Sequence, residues 1–289
     1  MSAAEQKVWL ITGTSSGLGK SLVASALGRG DLVIATVRRR EDFSLSDADA
    51  SRVHVLLLDV TVPEDSVRQK IAEAWNVWGR IDVLVNNAGY VSQCLLEEGG
   101  LSAAMKQFDV NFFGVLKVTN AILPHMRARK SGLVVFVGSR AVWQANIPTA
   151  GLYIASKAAI HTYSETLAAE VGQFGIRVLL AVPGGFRTTQ DKQLYTQNVP
   201  LEEYNEFRDN ILNFLANYWS RAQGDPAKAM EVLTDVVRGE GKAKDLELPP
   251  LLLLGDATYT QARVYSETLL ENASKWEGIG KNLNFDPSI

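Results

Sequence analysis

Residues Lys7–Gly19 read "KVWLITGTSSGLG", a short apolar run followed at once by a glycine-rich turn. The run Lys7–Thr12 is mostly apolar and rich in β-branched residues, which predicts a buried strand. A helical pattern, Leu18–Gly30, begins inside the same turn and ends at a glycine. A strand that passes through such a turn into a helix is typical of the first unit of an open parallel sheet.

The same alternation of strand and helix continues along the chain. Six more short apolar runs predict strands, at Asp31–Val37, Val53–Leu58, Ile81–Val85, Leu133–Val137, Ile176–Val182 and Leu251–Leu254. Helical patterns are found at Pro63–Trp78, Ser102–Arg129, Leu152–Phe174, Gly224–Val237 and Ala257–Trp276. Near-continuous apolar strands between helices are typical of a parallel sheet that is covered on both faces. We therefore predict an α/β fold with a doubly wound, mostly seven-stranded parallel sheet, Rossmann-like, in a single domain over residues 1–289.

The composition argues against several classes of protein. The chain is 46% hydrophobic and has a formal net charge of −3 without a basic stripe, so we expect no nucleic-acid binding. The histidines His54, His125 and His161 lack metal-ligand spacing, and we expect no metal site. The single cysteine, Cys94, cannot form an internal disulfide and no signal peptide is recognisable, so the cytoplasm is the expected location. The apolar run Leu248–Leu254 is far shorter than the roughly 20 residues of a membrane span.

The glycine-rich turn has the spacing of a phosphate-binding loop. Its glycines, Gly13, Gly17 and Gly19, form the pattern G-x-x-x-G-x-G immediately before the first helix. Glycine lets the backbone approach a pyrophosphate closely, and the helix N-terminus supplies unpaired amides and a positive dipole. Such a turn alone could be purely structural, but its place between the first strand and the first helix favours dinucleotide binding.

The end of the second predicted strand, "ATVRRR" (Ala35–Arg40), bears on the form of the dinucleotide. A carboxylate at this point binds the adenosine ribose diol, whereas an arginine accommodates a 2′-phosphate. No acidic residue precedes Glu41, and Thr36 occupies the expected position of the acid. We therefore predict that Arg38 binds the phosphate, which favours NADP(H) over NAD(H). The alternative is that the three arginines only form a solvated turn.

Seven short motifs follow one another along the chain. They are "TGTSSGLG" (12–19), "LDV" (58–60), "NNAG" (86–89), "VNFFG" (110–114), "GSR" (138–140), "YIASK" (153–157) and "PGGFRT" (183–188). Each motif is common by chance, but the ordered set is specific. Over roughly residues 7–190 the chain resembles the short-chain dehydrogenases/reductases. This resemblance implies a single-domain, NAD(P)-dependent oxidoreductase of the subgroup with a seven-stranded sheet.

Tyr153 and Lys157 lie one helical turn apart on the same face of the predicted helix Leu152–Phe174. A free phenol has a pKa near ~10, and lowering it to about 7 needs roughly 4 kcal/mol. An ammonium about 4 Å away supplies a comparable energy at an effective dielectric near ~20. The resemblance implies, and this energy permits, that Tyr153 is the general acid that protonates a carbonyl oxygen while Lys157 lowers its pKa. An ordinary surface pair is the alternative.

The resemblance also implies roles for residues on other elements. Ser139 would donate a hydrogen bond to the substrate oxygen, and Asn111 would hold the water that links Lys157 to solvent. Besides Tyr153 and Lys157, the cofactor would contact Gly13, Ser15, Ser16, Gly17, Leu18, Gly19, Arg38, Asp59, Val60, Asn87, Ala88, Gly89, Pro183, Gly184, Phe186 and Thr188. Two departures from the family pattern occur nearby. Arg140 replaces a small or apolar residue, and the spacing from Ser139 to Tyr153 is 14, one longer than is typical.

Residues 189–225 are predicted to form a helical substrate lid. Apolar side chains recur there at helical spacing, at Tyr204, Phe207, Ile211, Phe214, Leu215 and Tyr218. This stripe could be ordinary core packing. As the inner face of a lid, with Trp143, Phe186 and Tyr195 nearby, it favours a bulky hydrophobic carbonyl compound or alcohol as the substrate.

Other functions and assemblies are also compatible with the pattern. A dinucleotide-binding redox sensor would have no need of Tyr153 and Lys157, and a non-redox epimerase or dehydratase could retain the cofactor. Relatives often form homodimers or homotetramers through two long helices, which correspond here to Ser102–Arg129 and Leu152–Phe174.

Overall fold

The computed structural model describes residues 5–44, 50–188, 195, 199–220 and 223–285. Its strands are β1 (Val8–Ile11), β2 (Leu32–Val37), β3 (Val53–Leu57), β4 (Val83–Asn86), β5 (Gly132–Val137), β6 (Ile176–Pro183) and β7 (Leu251–Leu254). Its helices are α1 (Gly17–Gly28), α2 (Glu64–Trp78), α3 (Leu96–Phe108), α4 (Gly114–Arg129), α5 (Gly151–Val171), α6 (Asn205–Ser220), α7 (Pro226–Arg238) and α8 (Asp256–Gly280). Every predicted strand is present, with ends that differ from the prediction by at most two residues.

All seven strands run parallel in one sheet, in the order β3-β2-β1-β4-β5-β6-β7. The chain moves outwards from β1 to β3, returns to the centre at β4, and then moves outwards in the other direction to β7. Between β1 and β4 the connections diverge, which opens a crevice at the carboxyl ends of the strands. The predicted doubly wound, Rossmann-like fold of a single domain is confirmed.

Two hydrophobic cores cover the two faces of the sheet. On one face, α2, α4 and α5 pack against the strands through Ile71, Ile122 and Ile160. On the other face, α1 and α7 pack through Val23 and Leu233, which are fully buried. Because both faces are covered, strand residues are apolar on both sides, which explains the near-continuous apolar runs in the sequence.

The single long helix predicted over Ser102–Arg129 is wrong in its details. Helix α3 begins earlier, at Leu96, and a π turn, Asp109–Phe113, separates it from α4. The π turn holds the buried side chain of Asn111, which hydrogen-bonds the backbone of Tyr90. That contact joins residues 21 positions apart, so the periodicity of a helical segment cannot predict it.

The buried carboxylate of Asp31 joins three elements near the amino ends of the strands, away from the crevice. It has no exposed surface and accepts hydrogen bonds from the Lys7 amide at 2.9 Å and the Trp9 indole at 2.8 Å. The guanidinium of Arg238, the last residue of α7, forms a buried ion pair with it. Glu240 binds the same guanidinium at 2.8 Å. This network ties α7 to β1 and β2.

We expect Arg238→Met to destabilise the fold strongly. The substitution keeps an apolar chain but leaves the Asp31 carboxylate buried without its cation, which costs about 3–5 kcal/mol. Arg68→Met is the control, because Arg68 forms exposed ion pairs with Glu64 and Asp65 whose loss costs at most about 1 kcal/mol. The free energies of unfolding are measured by urea denaturation. Equal losses in the two variants would contradict the importance of the buried pair.

Candidate active site

The glycine-rich loop between β1 and α1 packs tightly against the segment that follows β4. Gly13 and Gly17 have φ values of +69° and +55°, which side chains disfavour. A Cβ on Gly13 would lie 2.8 Å from the Cα of Ala88, and one on Gly19 would lie 2.5 Å from the side-chain nitrogen of Asn87. Side chains therefore do not fit at these glycine positions. The loop leads directly into the N-terminus of α1, an arrangement that fits the pyrophosphate of a dinucleotide.

The remaining residues of this loop are more open. Ser15 is exposed, and Ser16 and Leu18 are half-buried. Ser16 is the N-terminal cap residue of α1 and has an extended backbone. The three residues thus lie beside the crevice, at the start of the helix.

Side chains from neighbouring strands hold the loop in place. The Asn87 side chain donates to the carbonyls of Thr12 and Gly13, at 2.8 and 2.9 Å. Thr12 Oγ1 accepts the amides of Asn87 and Ala88, at 3.0 and 2.9 Å. Thr36, predicted at the position of an acidic ligand, is instead buried, and its hydroxyl accepts the Gly13 amide at 3.3 Å. Its hydroxyl therefore supports the loop.

The three arginines after β2 have different surroundings. Arg39 forms an exposed ion pair with Asp42 at 2.9 Å. Arg40 donates to the carbonyl of Val55 at 3.5 Å. Arg38 is exposed and makes no hydrogen bond to any residue that the structure describes. Of the three guanidinium groups, that of Arg38 is the one without a hydrogen-bonded partner in the described parts of the chain.

Asp59 and Val60 follow the carboxyl end of β3, beside the strand β2 that Arg38 follows. The Asp59 carboxylate accepts the amide and the hydroxyl of Thr61, at 2.9 and 2.7 Å. Burial raises the pKa of Asp59, but these hydrogen bonds and the charge of Arg38 outweigh it, so the pKa lies below its ordinary value. The side chain of Val60 is buried against Gly114, where a Cβ would lie 2.6 Å from it. Asp59 is therefore held in its charged form, and Val60 is anchored in the core.

Tyr153 and Ser139 meet at the carboxyl end of β5. Tyr153 is half-buried in the first turn of α5, which begins at Gly151. Ser139 follows β5 and is buried, and its hydroxyl lies close enough to the phenol of Tyr153 to counteract part of the rise in the pKa of Tyr153. The same hydroxyl accepts the amide of Ala141 at 3.2 Å. The longer spacing between the two motifs does not separate these hydroxyl groups.

Lys157 lies one turn further along α5 and reaches the same strand end. Its Nζ donates to the carbonyl of Val137 at 2.7 Å, and burial lowers the pKa of the ammonium to about 8. A Cβ on Gly89 would lie 3.6 Å from this Nζ and 3.2 Å from Oδ1 of Asn111. The segment after β4 therefore passes directly over the ammonium group.

The surroundings of Tyr153 do not lower the pKa of its phenol. Burial raises the pKa of Tyr153 above its ordinary value, and the nearby Ser139 hydroxyl opposes this shift only in part. Lys157, which was predicted to lower this pKa, is not among the causes of the shift, and its ammonium donates to the Val137 carbonyl. The residues around the phenol thus favour its protonated form.

Asn111 connects the segment after β4 with α5. Its Oδ1 accepts the Tyr90 amide at 3.0 Å, and its Nδ2 donates to the Tyr90 carbonyl at 3.0 Å and to Ser156 Oγ at 3.1 Å. Ser156 in turn donates to the carbonyl of Tyr153 at 2.7 Å. The amide side chain therefore links the segment after β4 to the helix that carries Tyr153 and Lys157.

The segment after β6 borders the crevice and reaches the glycine-rich loop. The Gly184 amide donates to the Leu254 carbonyl at 2.9 Å, which extends the pairing of β6 with β7 past Pro183. Thr188 lies beside the glycine-rich loop, because a Cβ on Gly17 would lie 3.2 Å from its methyl group. The two predicted cofactor-binding loops are therefore neighbours.

The three aromatic residues predicted near the substrate contact different parts of the fold. Phe186 is half-buried and packs against the core beneath α1 and α7. Trp143 packs edge-to-face on His161, with ring centroids 5.7 Å apart. The Tyr195 hydroxyl hydrogen-bonds the carboxylate of Glu98. The described contacts thus give these rings packing roles on separate elements.

Glu98 on α3 is a buried carboxylate that no sequence pattern marks, because a glutamate in the first turn of a helix is common. It has no exposed surface and binds the Tyr195 hydroxyl, the Leu201 amide at 3.0 Å and the Arg208 guanidinium, whose Nε lies 3.0 Å away. The hydrogen bond with Arg208 contributes most to lowering the pKa of Glu98 to about 2, against the effect of burial. This Glu98 cluster (Glu98, Tyr195, Leu201 and Arg208) fastens the start of α6 to α3.

Helix α6 carries most of the apolar stripe that was predicted for the lid, and Tyr204 lies in the short 3-10 turn just before it. The stripe is half-buried at Tyr204, Ile211 and Leu215. Phe207 and Phe214 are 46% and 65% exposed. The side chain of Tyr218 and the predicted lid residues 189–194, 196–198 and 221–222 lie outside the described residues. The described part of α6 therefore leaves some of its apolar face uncovered.

The chain is similar in sequence and in fold to known proteins. The family model described as short chain dehydrogenase matches residues 7–199. The oxidoreductase BOA17 of Botryotinia fuckeliana is 33% identical over 278 residues, 94% of this chain and 97% of that protein. A 3-ketodihydrosphingosine reductase of Bacteroides thetaiotaomicron is 38% identical over 184 residues, 64% of this chain and 65% of that protein. The crystal structure of a short-chain dehydrogenase from Streptomyces avermitilis has a TM-score of 0.84 and 32% identity, covering 97% of this chain and 100% of that one.

We expect Glu98→Gln to loosen the start of α6. The amide removes the charge that pairs with the Arg208 guanidinium, and loss of one partner from a buried pair is strongly destabilising. Exchange of the Leu201 amide hydrogen should become at least about tenfold faster, which corresponds to about 1.4 kcal/mol of local opening. Glu97→Gln is the matched control, because Glu97 is exposed and accepts the Tyr204 hydroxyl at 3.1 Å.

The pH dependence of the same exchange rate provides a second readout. Because the pKa of Glu98 is lowered from 4.5 to about 2, its stabilising contribution is present above pH 4.5 and is lost as the pH falls from 4.5 towards 2. Glu98→Gln should lose this dependence. Equal acceleration in the two glutamine variants, or none in either, would contradict the role of the Glu98 cluster.

Proposed function

The chain belongs to the short-chain dehydrogenase/reductase family, and we propose that it transfers a hydride between NADP(H) and a carbonyl or alcohol group of a hydrophobic small molecule. As a family member it is an oxidoreductase that acts with NAD(P)(H). The choice of NADP(H), the hydrophobic substrate and the roles of individual residues go further and rest on separate observations.

The nearness of the Ser139 hydroxyl to the Tyr153 phenol carries the proposal. Two hydroxyl groups that meet beside the crevice of the sheet can bind one carbonyl oxygen together. In the reduction, Tyr153 donates its proton to that oxygen, and Ser139 donates a hydrogen bond that stabilises the developing negative charge. In the oxidation, Tyr153 accepts the proton from the alcohol.

Lys157 is the group proposed to make this proton transfer possible at neutral pH. With a pKa of about 8, it is mostly protonated at pH 7. If the ammonium came within about 4 Å of the phenol in the cofactor complex, it would favour the phenolate by about 4 kcal/mol at an effective dielectric of ~20, which would offset the effect of burial on Tyr153. Lys157 would also hold the nicotinamide ribose, and Asn111 would hold the water that links it to solvent.

The crevice residues are proposed to hold the cofactor, which supplies or accepts the hydride when it is bound. The glycine-rich loop offers backbone amides to the pyrophosphate, and Asp59 and Val60 offer a site for the adenine. The segment Asn87–Gly89 lines the trough, and Pro183–Thr188 faces the nicotinamide. Both segments adjoin the glycine-rich loop, which supports a single continuous site.

The preference for NADP(H) rests on Arg38. Its neighbours Arg39 and Arg40 are bound to Asp42 and to the Val55 carbonyl, whereas the guanidinium of Arg38 is exposed. A guanidinium can bind a 2′-phosphate through two parallel hydrogen bonds, which supports Arg38 as the residue that selects the phosphorylated cofactor.

The hydrophobic substrate is supported by α6 and by one relative. The apolar stripe of α6 is only partly covered, at Phe207 and Phe214 in particular, so it can pack against an apolar ligand beneath the proposed lid. One similar protein is a 3-ketodihydrosphingosine reductase, which supports a ketone as the reacting group.

Location and assembly are further parts of the proposal. Among the helices within the described ranges, none combines the length and the apolar character needed to cross a bilayer. We propose a cytoplasmic location, supported by the single, buried cysteine Cys94. We also propose a homodimer or homotetramer through α4 and α5, in keeping with the habit of the family.

We expect Tyr153→Phe to abolish turnover without preventing cofactor binding. Phenylalanine keeps the ring but has no proton to donate, so kcat should fall by about a hundred- to ten-thousandfold. Turnover is followed by the absorbance of NADPH with a panel of apolar and small charged carbonyl compounds. Tyr163→Phe is the matched control, because Tyr163 lies on the same helix as Tyr153 and its ring packs against Phe136 and Phe112.

The outcomes of this experiment separate the alternatives. Equal turnover in Tyr153→Phe and the wild type would overturn the assignment of Tyr153. Preference for the small charged compounds would overturn the substrate class. NADPH binding without turnover of any compound would favour a redox sensor or a non-redox enzyme.

We expect Arg38→Ala to weaken the binding of NADPH and leave that of NADH unchanged. A charge-assisted hydrogen bond contributes about 1.5–3 kcal/mol, so the Kd for NADPH should rise about ten- to a hundredfold. Arg39→Ala is the matched control, since Arg39 is adjacent, exposed and paired with Asp42. Both constants are measured by fluorescence titration. Equal effects on NADPH and NADH would contradict a phosphate contact at Arg38.

A further inference from the structure

His161 lies on the face of α5 that carries Tyr153 and Lys157. The three residues follow one another at intervals of four along the helix, so each lies one turn beyond the last. His161 is buried, and its Nε2 accepts the backbone amide of Ser139 at 3.2 Å. The contact joins residues that are 22 positions apart. It ties the imidazole to the residue whose hydroxyl meets Tyr153.

This hydrogen bond satisfies an amide that the sheet leaves unpaired. Strand β5 ends at Val137, and the Gly138 amide still donates to the Ala181 carbonyl at 2.8 Å. At Ser139 the chain turns into a short 3-10 helix, Arg140–Trp143. A buried amide without an acceptor costs about 1–3 kcal/mol. The imidazole nitrogen supplies that acceptor.

The imidazole is held in the neutral form that can accept a hydrogen bond. Burial, reinforced by the charge of Lys157, lowers the pKa of His161 to about 4. A neutral imidazole has one donor nitrogen and one acceptor nitrogen, so with Nε2 accepting the proton resides on Nδ1.

The ring is also confined on two sides. Trp143 packs against it edge-to-face, with centroids 5.7 Å apart. A Cβ on Gly138 would lie 2.9 Å from Cδ2 of the imidazole, so the glycine is what allows the ring to approach the strand end. A ring that cannot shift defines the position of the amide it binds.

We propose that His161 is a positioning residue, which holds the Ser139 backbone so that the Ser139 hydroxyl is aimed at the same oxygen as the Tyr153 phenol. The inference rests on the proposed function, because it assigns a task within that reaction. His161 fixes the backbone of Ser139, and the Ala141 amide binds its hydroxyl at 3.2 Å. Loss of the imidazole acceptor would displace the hydroxyl and leave the glycine-rich loop untouched.

Three variants test this role. His161→Leu fills the site but offers no acceptor, whereas His161→Gln can place a side-chain oxygen near the position of Nε2. Ser164→Ala is the matched control, because Ser164 is buried one turn further along α5 and donates to the carbonyl of His161. The variants are compared by kcat and KM for a reduced carbonyl compound, by the Kd for NADPH, and by thermal unfolding.

We expect kcat to fall about ten- to a hundredfold in His161→Leu, the loss that follows from misplacing a group by about 1 Å. His161→Gln should recover most of that loss, Ser164→Ala should resemble the wild type, and the Kd for NADPH should stay unchanged throughout. Unchanged kcat in His161→Leu would overturn the proposal. Equal losses in the leucine and glutamine variants would overturn it too, as would a loss in Ser164→Ala of the same size.

A measurement without turnover separates this inference from the proposed function. In the wild type, ¹⁵N spectra of the imidazole should show the tautomer with the proton on Nδ1. Exchange of the Ser139 amide hydrogen should be slow in the wild type and His161→Gln, and fast in His161→Leu. If these hold but the wild type reduces no compound, the proposed function fails and the contact stands. If Nε2 carries the proton, or Ser139 exchanges equally fast in all variants, the positioning role itself is wrong.

Discussion

All seven strands of the sheet run in the same direction, so their carboxyl ends all lie on the same side of the fold. This constraint brings together segments that are distant in the sequence, those of Gly13 after β1, Asn87 after β4, Ser139 after β5 and Gly184 after β6. The connections that follow β1 and β4 diverge, and this leaves a crevice open at the carboxyl ends of the strands. Most groups in the candidate active site reach it from a strand end, from the start of α1 or from α5, and Asn111 reaches it from the π turn. The location of the site therefore depends on the common direction of the strands more than on any one side chain.

Helix α5 is attached to the end of β5 by three polar contacts on one of its faces. Tyr153 meets the Ser139 hydroxyl, Lys157 meets the Val137 carbonyl, and His161 meets the Ser139 amide. Burial lowers the pKa of Lys157 to about 8 and that of His161, with help from Lys157, to about 4. At neutral pH this face thus carries one positive charge, one hydrogen-bond acceptor and one phenol. Such a division lets neighbouring titratable groups take different tasks in one low-dielectric space.

The last third of the chain is joined to the rest through buried ion pairs. Arg238 reaches Asp31 at the amino end of the sheet, and Arg208 reaches Glu98 on α3. Both carboxylates lack exposed surface, and both arginines lie beyond the region matched by the family model, which ends at residue 199. Removing one partner of a buried pair costs far more than removing one partner of an exposed pair. The attachment of α6 and α7 therefore depends on these buried charges as well as on apolar packing.

By itself the sequence determined the strands, most of the helices, the glycine-rich loop and the Tyr153–Lys157 pair. These features follow from backbone preference and periodicity within a few residues, and the ordered motifs added the family. Only the tertiary structure decided that α3 and α4 are separated by a π turn, that burial raises the pKa of Tyr153, and that Glu98 and His161 have buried partners. Those partners lie 110 and 22 residues away from them, and the desolvation of a group depends on whatever the fold packs around it. Local pattern specifies what a segment becomes, whereas burial and long-range hydrogen bonds determine what its polar groups can do.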